Sequence, residues 1–209
     1  MRSTIGVLAL QGSFPLHIRM LARTGRAARE VRVPEHLEGL SGLVIPGGES
    51  TTVEKLIVKD RLDEAIRERF RDGGLALFGT CMGLIVLSRG IEGSRRLRLG
   101  LLDVAVARNA YGRQRESFEA AVALNGLAGE PEWVGGTAPV TGVFIRAPVI
   151  TRTGAGVRVL AVHGGRPVLV REGNALGAAF HPELTEDARI HEYFARIAEN
   201  AGGTRGGGV

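Results

Sequence analysis

The stretch from residue 75 to residue 87 constrains the fold more than any other part of this sequence. An apolar run leads into the pattern Gly-Thr-Cys-Met-Gly at residues 79–83, and a second apolar run follows it at once. Such a pattern is typical of a buried strand that turns sharply into a helix, with the cysteine at the bend. Glycine on either side removes a Cβ atom where strand and helix must approach closely. The sequence therefore predicts a strand–turn–helix unit centred on Cys81.

Cys81 itself has two interpretations. In a strained turn beside a helix N-terminus, free N–H groups and the helix dipole stabilise a thiolate, which is how a nucleophile is presented. A free cysteine can equally pack as a small hydrophobic side chain. The turn pattern leaves both interpretations open. Because Cys81 is the only cysteine, the chain has no intramolecular disulfide, and we expect a reducing, cytoplasmic location.

The first 80 residues alternate between apolar runs and amphipathic segments, and several runs end in glycine. This alternation predicts an α/β fold with a mainly parallel sheet covered on both faces. From residue 97 onwards extended segments dominate. We expect strands at residues 4–10, 30–33, 42–45, 75–78, 100–108, 117–124, 142–148, 157–163, 167–171 and 177–180, helices at 14–29, 53–58, 61–71, 84–87 and 187–200, and a surface loop at 127–141.

The chemistry-bearing residues follow three of these strands. Gln11 and Gly12 come after the first strand, Gly47 and Gly48 come after the third, and Cys81 comes after the fourth. Ligand crevices in open parallel sheets lie outside the carboxyl ends of the strands. We therefore expect these three strand ends to form one site.

His181-Pro182-Glu183 follows the apolar run 177–180 and predicts a second catalytic element. Residues i and i+2 of an extended segment point to the same side, so the imidazole and the carboxylate can lie together. A carboxylate bonded to one ring nitrogen leaves the other free to exchange a proton with a thiol. The alternative is a surface histidine followed by a helix-initiating glutamate. The remaining histidines, namely His17, His36, His163 and His191, are expected to be structural or solvent-facing.

The Gly47-Gly48 pair does not fit a nucleotide site, because neither GxxxxGK[ST] nor GxGxxG is present. Backbone N–H groups of Gly48 and Met82 facing the Cys81 sulfur would instead form an oxyanion hole. No metal site is predicted.

Composition limits the remaining possibilities. A chain of 209 residues is expected to form one domain, here residues 1–200, followed by a disordered glycine-rich tail at 201–209. The net charge of +5 comes from basic residues that are spread along the chain and mixed with acids, so no nucleic-acid partner is predicted. No apolar run reaches about 18 residues, so no membrane insertion is predicted.

Six motifs together resemble the glutaminase subunits of pyridoxal 5′-phosphate synthases, which are class I glutamine amidotransferases. The resemblance spans nearly the whole chain. The motifs are LALQG at 8–12, PGGESTT at 46–52, GTCMGL at 79–84, RNAYGRQ at 108–114, FIRAP at 144–148 and FHPELTED at 180–187.

The resemblance implies a flavodoxin-like, three-layer α/β/α fold and the hydrolysis of L-glutamine to glutamate and ammonia. Cys81 would be the nucleophile, His181 the acid and base, and Glu183 the group that orients His181. The glutamine contacts of such proteins map onto Gly47, Gly48, Glu49, Arg108, Ile145 and Arg146, with Gln11 in a supporting role. Two arginines suit the substrate α-carboxylate, and Glu49 suits its α-ammonium or orders the loop.

The resemblance also implies a partner, a (β/α)8-barrel synthase subunit that receives the ammonia in a hetero-oligomeric complex. Pyridoxal phosphate would be the product of that complex, so no cofactor is expected for this chain. Two departures are visible: Met82 replaces the usual alanine, and 127–141 looks longer than usual. Three alternatives remain open, namely an amidotransferase serving another acceptor, a cysteine hydrolase of esterase or peptidase type, and a binding module with an inert elbow.

Overall fold

A computed structural model of the protein describes residues 3–91, 99–107 and 117–203. In chain order its strands are β1 (Thr4–Leu8), β2 (Ala27–Val31), β3 (Leu40–Ile45), β4 (Ala76–Thr80), β5 (Ser88–Ile91), β6 (Leu102–Ala107), β7 (Phe118–Val122), β8 (Val140–Phe144), β9 (Val149–Thr153), β10 (Arg158–His163), β11 (Arg166–Glu172) and β12 (Ala175–Ala178). The helices are α1 (Phe14–Arg23), α2 (Ser50–Lys59), α3 (Leu62–Arg71), α4 (Met82–Leu87) and α5 (Arg189–Gly203), with short 3₁₀ turns at Pro34–Leu37, Asn125–Leu127 and Pro182–Leu184.

A seven-stranded central sheet organises the molecule, in the order β10-β11-β12-β4-β3-β1-β2. The five strands from β12 to β2 run parallel, and β10 and β11 extend the sheet as antiparallel strands. Every residue of β3 and β4 is buried. Strands covered on both faces need continuous apolar runs, which is why these segments lack polar alternation. The predicted mainly parallel α/β fold is confirmed.

Helices cover both faces of this sheet, and neighbouring residues of β4 show which helix lies on which side. The ring of Phe78 packs against Phe194 of α5, with 5.4 Å between the ring centroids. The next residue, Gly79, faces α4 so closely that a Cβ there would lie 2.5 Å from the Gly83 backbone. Helix α1 packs with α5, and α2 packs with α3 and α4. The result is the predicted three-layer arrangement.

Two smaller units flank the central sheet. Strands β5, β6 and β9 form a three-stranded sheet, and β7 pairs with β8 as an antiparallel hairpin. The hairpin predicted from residues 157–163 and 167–171 is confirmed as β10 and β11. The predicted strand at 142–148 is wrong in its second half, because β8 ends at Phe144 and the chain turns through Arg146 at a φ of 45°.

Two helix ends also differ from the prediction. Helix α1 ends at Arg23 and not at residue 29, because Gly25 takes a left-handed φ of 71° and Thr24 Oγ1 donates to the Leu21 carbonyl. Residues from Ala27 then form β2. At the other end of the chain α5 continues to Gly203, so the first three residues of the predicted tail are helical.

The loop predicted at 127–141 is confirmed for residues 128–139, whereas Leu127 ends a 3₁₀ turn and residues 140 and 141 belong to β8. This segment is nevertheless anchored in the interior. Buried Glu130 accepts hydrogen bonds from Arg171 of β11 at 2.9 Å and from Tyr193 of α5 at 2.7 Å. Arg171 also donates to Glu132. Among the described residues no helix is both long and apolar enough to cross a membrane.

Candidate active site

Cys81 occupies the turn between β4 and α4 in a strained backbone conformation, with φ 49° and ψ −105°. Backbone conformations of this kind cost about 1–3 kcal/mol and persist where the surroundings enforce them. The surroundings here are tight. The Cys81 N–H donates to the Ala178 carbonyl at the end of β12, and a Cβ on Gly83 would lie 1.8 Å from the Ile45 carbonyl oxygen. The predicted elbow, including its need for glycine, is confirmed.

The thiol of Cys81 is partly accessible and has two neighbours of interest. Its sulfur lies 3.7 Å from the Ile145 carbonyl oxygen, to which the thiol can donate. It also lies beside His181, whose pKa it raises. Next to Ile145, the exposed Arg146 holds a left-handed φ of 45°, which bends the chain past the nucleophile. The structure therefore brings the FIRAP motif to Cys81.

His181 and Glu183 lie side by side, as their spacing predicts. His181 Nδ1 is 2.8 Å from Glu183 Oε1, and both residues are buried. The His181 backbone N–H donates to the Val143 carbonyl, and Ser13 Oγ donates to the same carboxylate oxygen at 2.7 Å. Because Nδ1 faces the carboxylate, Nε2 is the ring nitrogen left for the thiol and the substrate.

The electrostatics of this pair favour charge on both members. Burial alone would lower the pKa of His181, but hydrogen bonds and attraction from Cys81 and Glu183 raise it to about 10. Burial alone would raise the pKa of Glu183, but the neighbouring His17 and the hydrogen bond and charge of His181 hold it well below its usual range. His181 therefore carries a proton at neutral pH that it can give to a leaving group.

The glycine loop after β3 closes the other side of the site. A Cβ on Gly47 would lie 2.4 Å from Cε1 of His181 and 3.4 Å from Cβ of Cys81, so only glycine allows this approach. Gln11 Oε1 accepts a hydrogen bond from the Glu49 N–H at 2.6 Å, which holds the loop backbone in place. The Glu49 carboxylate accepts from the backbone N–H and the hydroxyl of Thr52, and so caps α2.

The structure leaves two parts of the predicted site open. Met82 is the first residue of α4, where a backbone N–H has no partner one turn earlier in the helix, and its side chain is buried. The pairing of this N–H with that of Gly48 as an oxyanion hole remains a prediction. Arg108 lies outside the described residues. Within the described ranges no group of three or more His, Cys, Asp or Glu side chains could hold a metal ion.

Two buried histidines that were predicted to be structural or solvent-facing lie near Glu183: His17 adjoins the carboxylate, and His191 contacts His17. His17 Nε2 is 3.4 Å from Glu183 Oε2 and 3.2 Å from Thr80 Oγ1, and His17 Nδ1 is 2.9 Å from His191 Nε2. A signal existed in helix α1, where His17 shares its spacing with the buried Met20 and Leu21. A polar residue on an apolar helix face needs a buried partner.

Solved structures with the same fold define the class of protein. A crystal structure of a glutamine amidotransferase superposes with a TM-score of 0.85 at 51% identity, covering 93% of this chain and 98% of that one. The glutaminase domain of a Trypanosoma brucei CTPS with bound acivicin, at 12% identity and a TM-score of 0.62, shares the fold alone, covering 95% of this chain and 94% of that one. The fold is that of the class I glutamine amidotransferases.

Sequence comparison narrows the class to a family. The pattern of the SNO glutamine amidotransferase family matches residues 7–200, and the chain belongs to that family. It is similar to the pyridoxal 5′-phosphate synthase subunit PdxT of a Thermus thermophilus strain, with 54% identity over 95% of this chain and 99% of the relative. The PdxT subunit of Pelotomaculum thermopropionicum is 51% identical over 95% of this chain and 96% of its own length.

Proposed function

We propose that this chain is the glutaminase subunit of a pyridoxal 5′-phosphate synthase and that it hydrolyses L-glutamine to L-glutamate and ammonia. The observation that carries the proposal is the strained Cys81 elbow beside a His181 that is itself paired with buried Glu183. Membership of the SNO family and the PdxT relatives support the substrate and the pathway.

The first half of the reaction forms a thioester. The Cys81 sulfur attacks the side-chain carboxamide carbon of glutamine, and the carbonyl π electrons move onto oxygen. His181 then gives its Nε2 proton to the amide nitrogen, the C–N bond breaks, and ammonia leaves as the carbonyl re-forms. Glu183 accepts the Nδ1–H of His181 throughout, which stabilises the imidazolium and keeps Nε2 aimed at the reaction.

The second half returns the enzyme to its starting state. His181, now neutral at Nε2, takes a proton from water as the oxygen attacks the thioester carbon. The C–S bond breaks, glutamate leaves, and the Cys81 thiolate is restored beside a protonated His181. Ammonia therefore leaves before water enters, and His181 serves as the acid in the first half and as the base in the second.

The remaining predicted residues bind and polarise the substrate. Backbone N–H groups of Gly48 and Met82 would stabilise the oxyanion, and loss of one such donor costs about 10²–10³ in kcat in comparable sites. The proposed glutamine contacts are Gly47, Gly48, Glu49, Arg108, Ile145 and Arg146. Gln11 supports this surface by holding the Glu49 N–H.

The ammonia passes to a synthase subunit, a (β/α)8 barrel, in the proposed assembly. Transfer to a partner fits a glutaminase whose oxyanion loop contains the adaptable pair Gly47 and Gly48, because docking can complete such a loop. Co-purification identifies the acceptor. A different synthase bound to the chain would assign the same chemistry to another pathway.

Cys81→Ala tests the proposed chemistry. Ammonia release from glutamine, measured with the synthase subunit present, should fall to background because no thioester can form. Serine at the same position is the matched variant that keeps the volume and a weak nucleophile, and it should also lose nearly all activity. Ammonia release by Cys81→Ala at the wild-type rate would contradict the proposal.

A further inference from the structure

The buried cluster behind Glu183 has no role in the chemistry described so far. It contains His17 of α1, His191 of α5 and Thr80 at the end of β4, all buried, beside a carboxylate that is completely inaccessible to solvent. Three elements that are far apart in sequence thus meet at His17, which lies beside one carboxylate oxygen. Burying two imidazoles here carries a desolvation cost, which hydrogen bonding must offset.

Proton positions in this cluster follow from the donors and acceptors available. Within the described part of the chain, Nδ1 of fully buried His191 has no hydrogen-bond partner. Buried N–H donors without partners are much rarer than unpaired acceptors, so Nδ1 is the bare nitrogen and the proton is on Nε2. Burial also lowers the pKa of His191 to about 3, so its ring is neutral.

The proton position in His191 determines the proton position in His17. The His191 Nε2–H donates to His17 Nδ1, 2.9 Å away, so Nδ1 of His17 is an acceptor. The His17 proton must then be on Nε2, which faces Glu183 Oε2 at 3.4 Å and Thr80 Oγ1 at 3.2 Å. Among the described residues Oε2 makes no hydrogen bond of normal geometry, and His17 Nε2 lies within ion-pair distance of it, whereas Oε1 is taken by His181 and Ser13.

We propose that His17 is a positioning residue of the hydrolysis, whose Nε2–H, fixed by His191, keeps Glu183 charged and turned towards His181. The proposal rests on the proposed function, since it assigns His17 an effect on the Cys81–His181–Glu183 reaction. Without this donor, Oε2 is an unpaired anion in a dry site, and the carboxylate takes up a proton more readily. A protonated Glu183 stabilises the His181 imidazolium less.

Thr80 connects His17 to the proposed oxyanion loop at Gly47 and Gly48. Thr80 Oγ1 accepts the Gly47 N–H at 3.2 Å while it lies 3.2 Å from His17 Nε2. His17 therefore contacts both the carboxylate that orients the base and the hydroxyl that holds the loop. Groups facing Glu183 are His17 from α1, His181 from its own segment and Ser13 before α1, with His191 of α5 one ring further away.

The first test observes the wild-type protein directly. Long-range ¹H–¹⁵N correlation on ¹⁵N-histidine-labelled full chain reports which ring nitrogen carries the proton, with His17→Gln and His36→Gln used for assignment. We expect Nε2 to be protonated in both His17 and His191. A His17 ring protonated at Nδ1 alone would overturn the proposal, and this result does not depend on any glutaminase activity.

The second test compares His17→Phe, which removes the donor, with His17→Gln, whose amide nitrogen replaces Nε2. In the complex with the synthase, we expect His17→Phe to lose at least about 10-fold in kcat, a part of the 10²–10⁴ contributed by acid–base catalysis, with KM for glutamine nearly unchanged. The acid limb of its kcat profile should move to higher pH because Glu183 protonates more easily. His17→Gln should restore both.

Controls separate this role from a purely structural one. His36→Gln, at an exposed histidine, should leave kcat and the pH profile unchanged. Equal losses in His17→Phe and His17→Gln, or a wild-type profile in folded His17→Phe, would overturn the proposal. If His17→Phe does not fold, the kcat and pH profile of His17→Gln and the proton positions in the wild-type spectrum still test the proposal. Activity that survives Cys81→Ala would instead refute the proposed function and leave the proton assignment standing.

Discussion

At the scale of single residues, the elbow depends on the absence of side chains at particular points. Gly79 lets β4 approach α4, Gly83 lets α4 approach the end of β3, and Gly47 lets the loop reach His181. Each substitution would place a Cβ in steric conflict with a backbone atom or with the His181 ring. Glycine here serves close approach, since none of the three has a positive φ.

Gly83→Ala should therefore destabilise the protein by at least about 2 kcal/mol, because its Cβ would lie 1.8 Å from the carbonyl oxygen of Ile45 and rigid backbone must move. Urea unfolding measures the change. Gly156→Ala is the matched control, since its new Cβ would meet only the flexible end of Glu172 at 3.3 Å. Equal stability of the two variants would show that the elbow tolerates a side chain.

His181 makes stability depend on pH. Its folded pKa is raised to about 10 from an unfolded value near 6.5, so the folded state binds the extra proton between these limits. The stabilisation is complete below about pH 6.5 and is lost as the pH rises through about 10. Against His181→Gln, the free energy of unfolding should fall by about 2–5 kcal/mol across this window. Parallel pH curves for both proteins would contradict this.

At the scale of elements, the 128–139 segment shows how a loop can be fixed without regular structure. Its buried Glu130 bonds β11 through Arg171 and α5 through Tyr193. Glu132 contributes a second carboxylate to Arg171. These contacts of Glu130 and Glu132 hold the segment against β11 and α5. The composition of the segment, rich in glycine and proline, did not predict them.

Arg171→Met should cost about 3–5 kcal/mol of folding stability, because it removes the buried cation that faces Glu130 and Glu132. Arg152→Met is the matched control. It removes a half-exposed arginine that pairs with Asp103, and such pairs contribute at most about 1 kcal/mol. Chemical denaturation of both variants measures the difference. A loss in Arg171→Met no larger than in Arg152→Met would show that the anchor is dispensable.

The elements best predicted from sequence are those whose signal is local. The elbow, the β10–β11 hairpin and the His181–Glu183 pair each lie within a short stretch whose spacing fixes the geometry. The end of α1 was less well predicted because helix spacing continues past Gly25, whose left-handed φ ends it. Strand β9 was missed because Ala147 and Pro148 resemble a continuation of β8.

At the scale of the whole molecule, the contacts that sequence could not provide are those between distant segments. His17 and His191 are separated by 174 positions, and only the packing of α1 against α5 brings them together. The convergence of three strand ends was predictable, because parallel strands share one carboxyl edge. Which side chains lie behind that edge depends on the three-dimensional packing of both helices.

The proposed assembly gives a prediction at this scale. Because the proposed oxyanion loop contains two adjacent glycines, we expect the isolated chain to hydrolyse glutamine at least about 10-fold more slowly than the complex with its synthase. Ammonia release per Cys81 site, measured with and without the partner, checks this. Equal rates would show that the site is complete in the isolated chain.

The capping of α2 by Glu49 has a consequence for substrate binding. The same carboxylate that is proposed to meet the glutamine ammonium now holds the N–H and the hydroxyl of Thr52. Loss of an N-terminal cap costs a helix about 1 kcal/mol. Binding of glutamine to Glu49 would therefore compete with the cap of α2. We expect saturation with glutamine to fray the first turn of this helix.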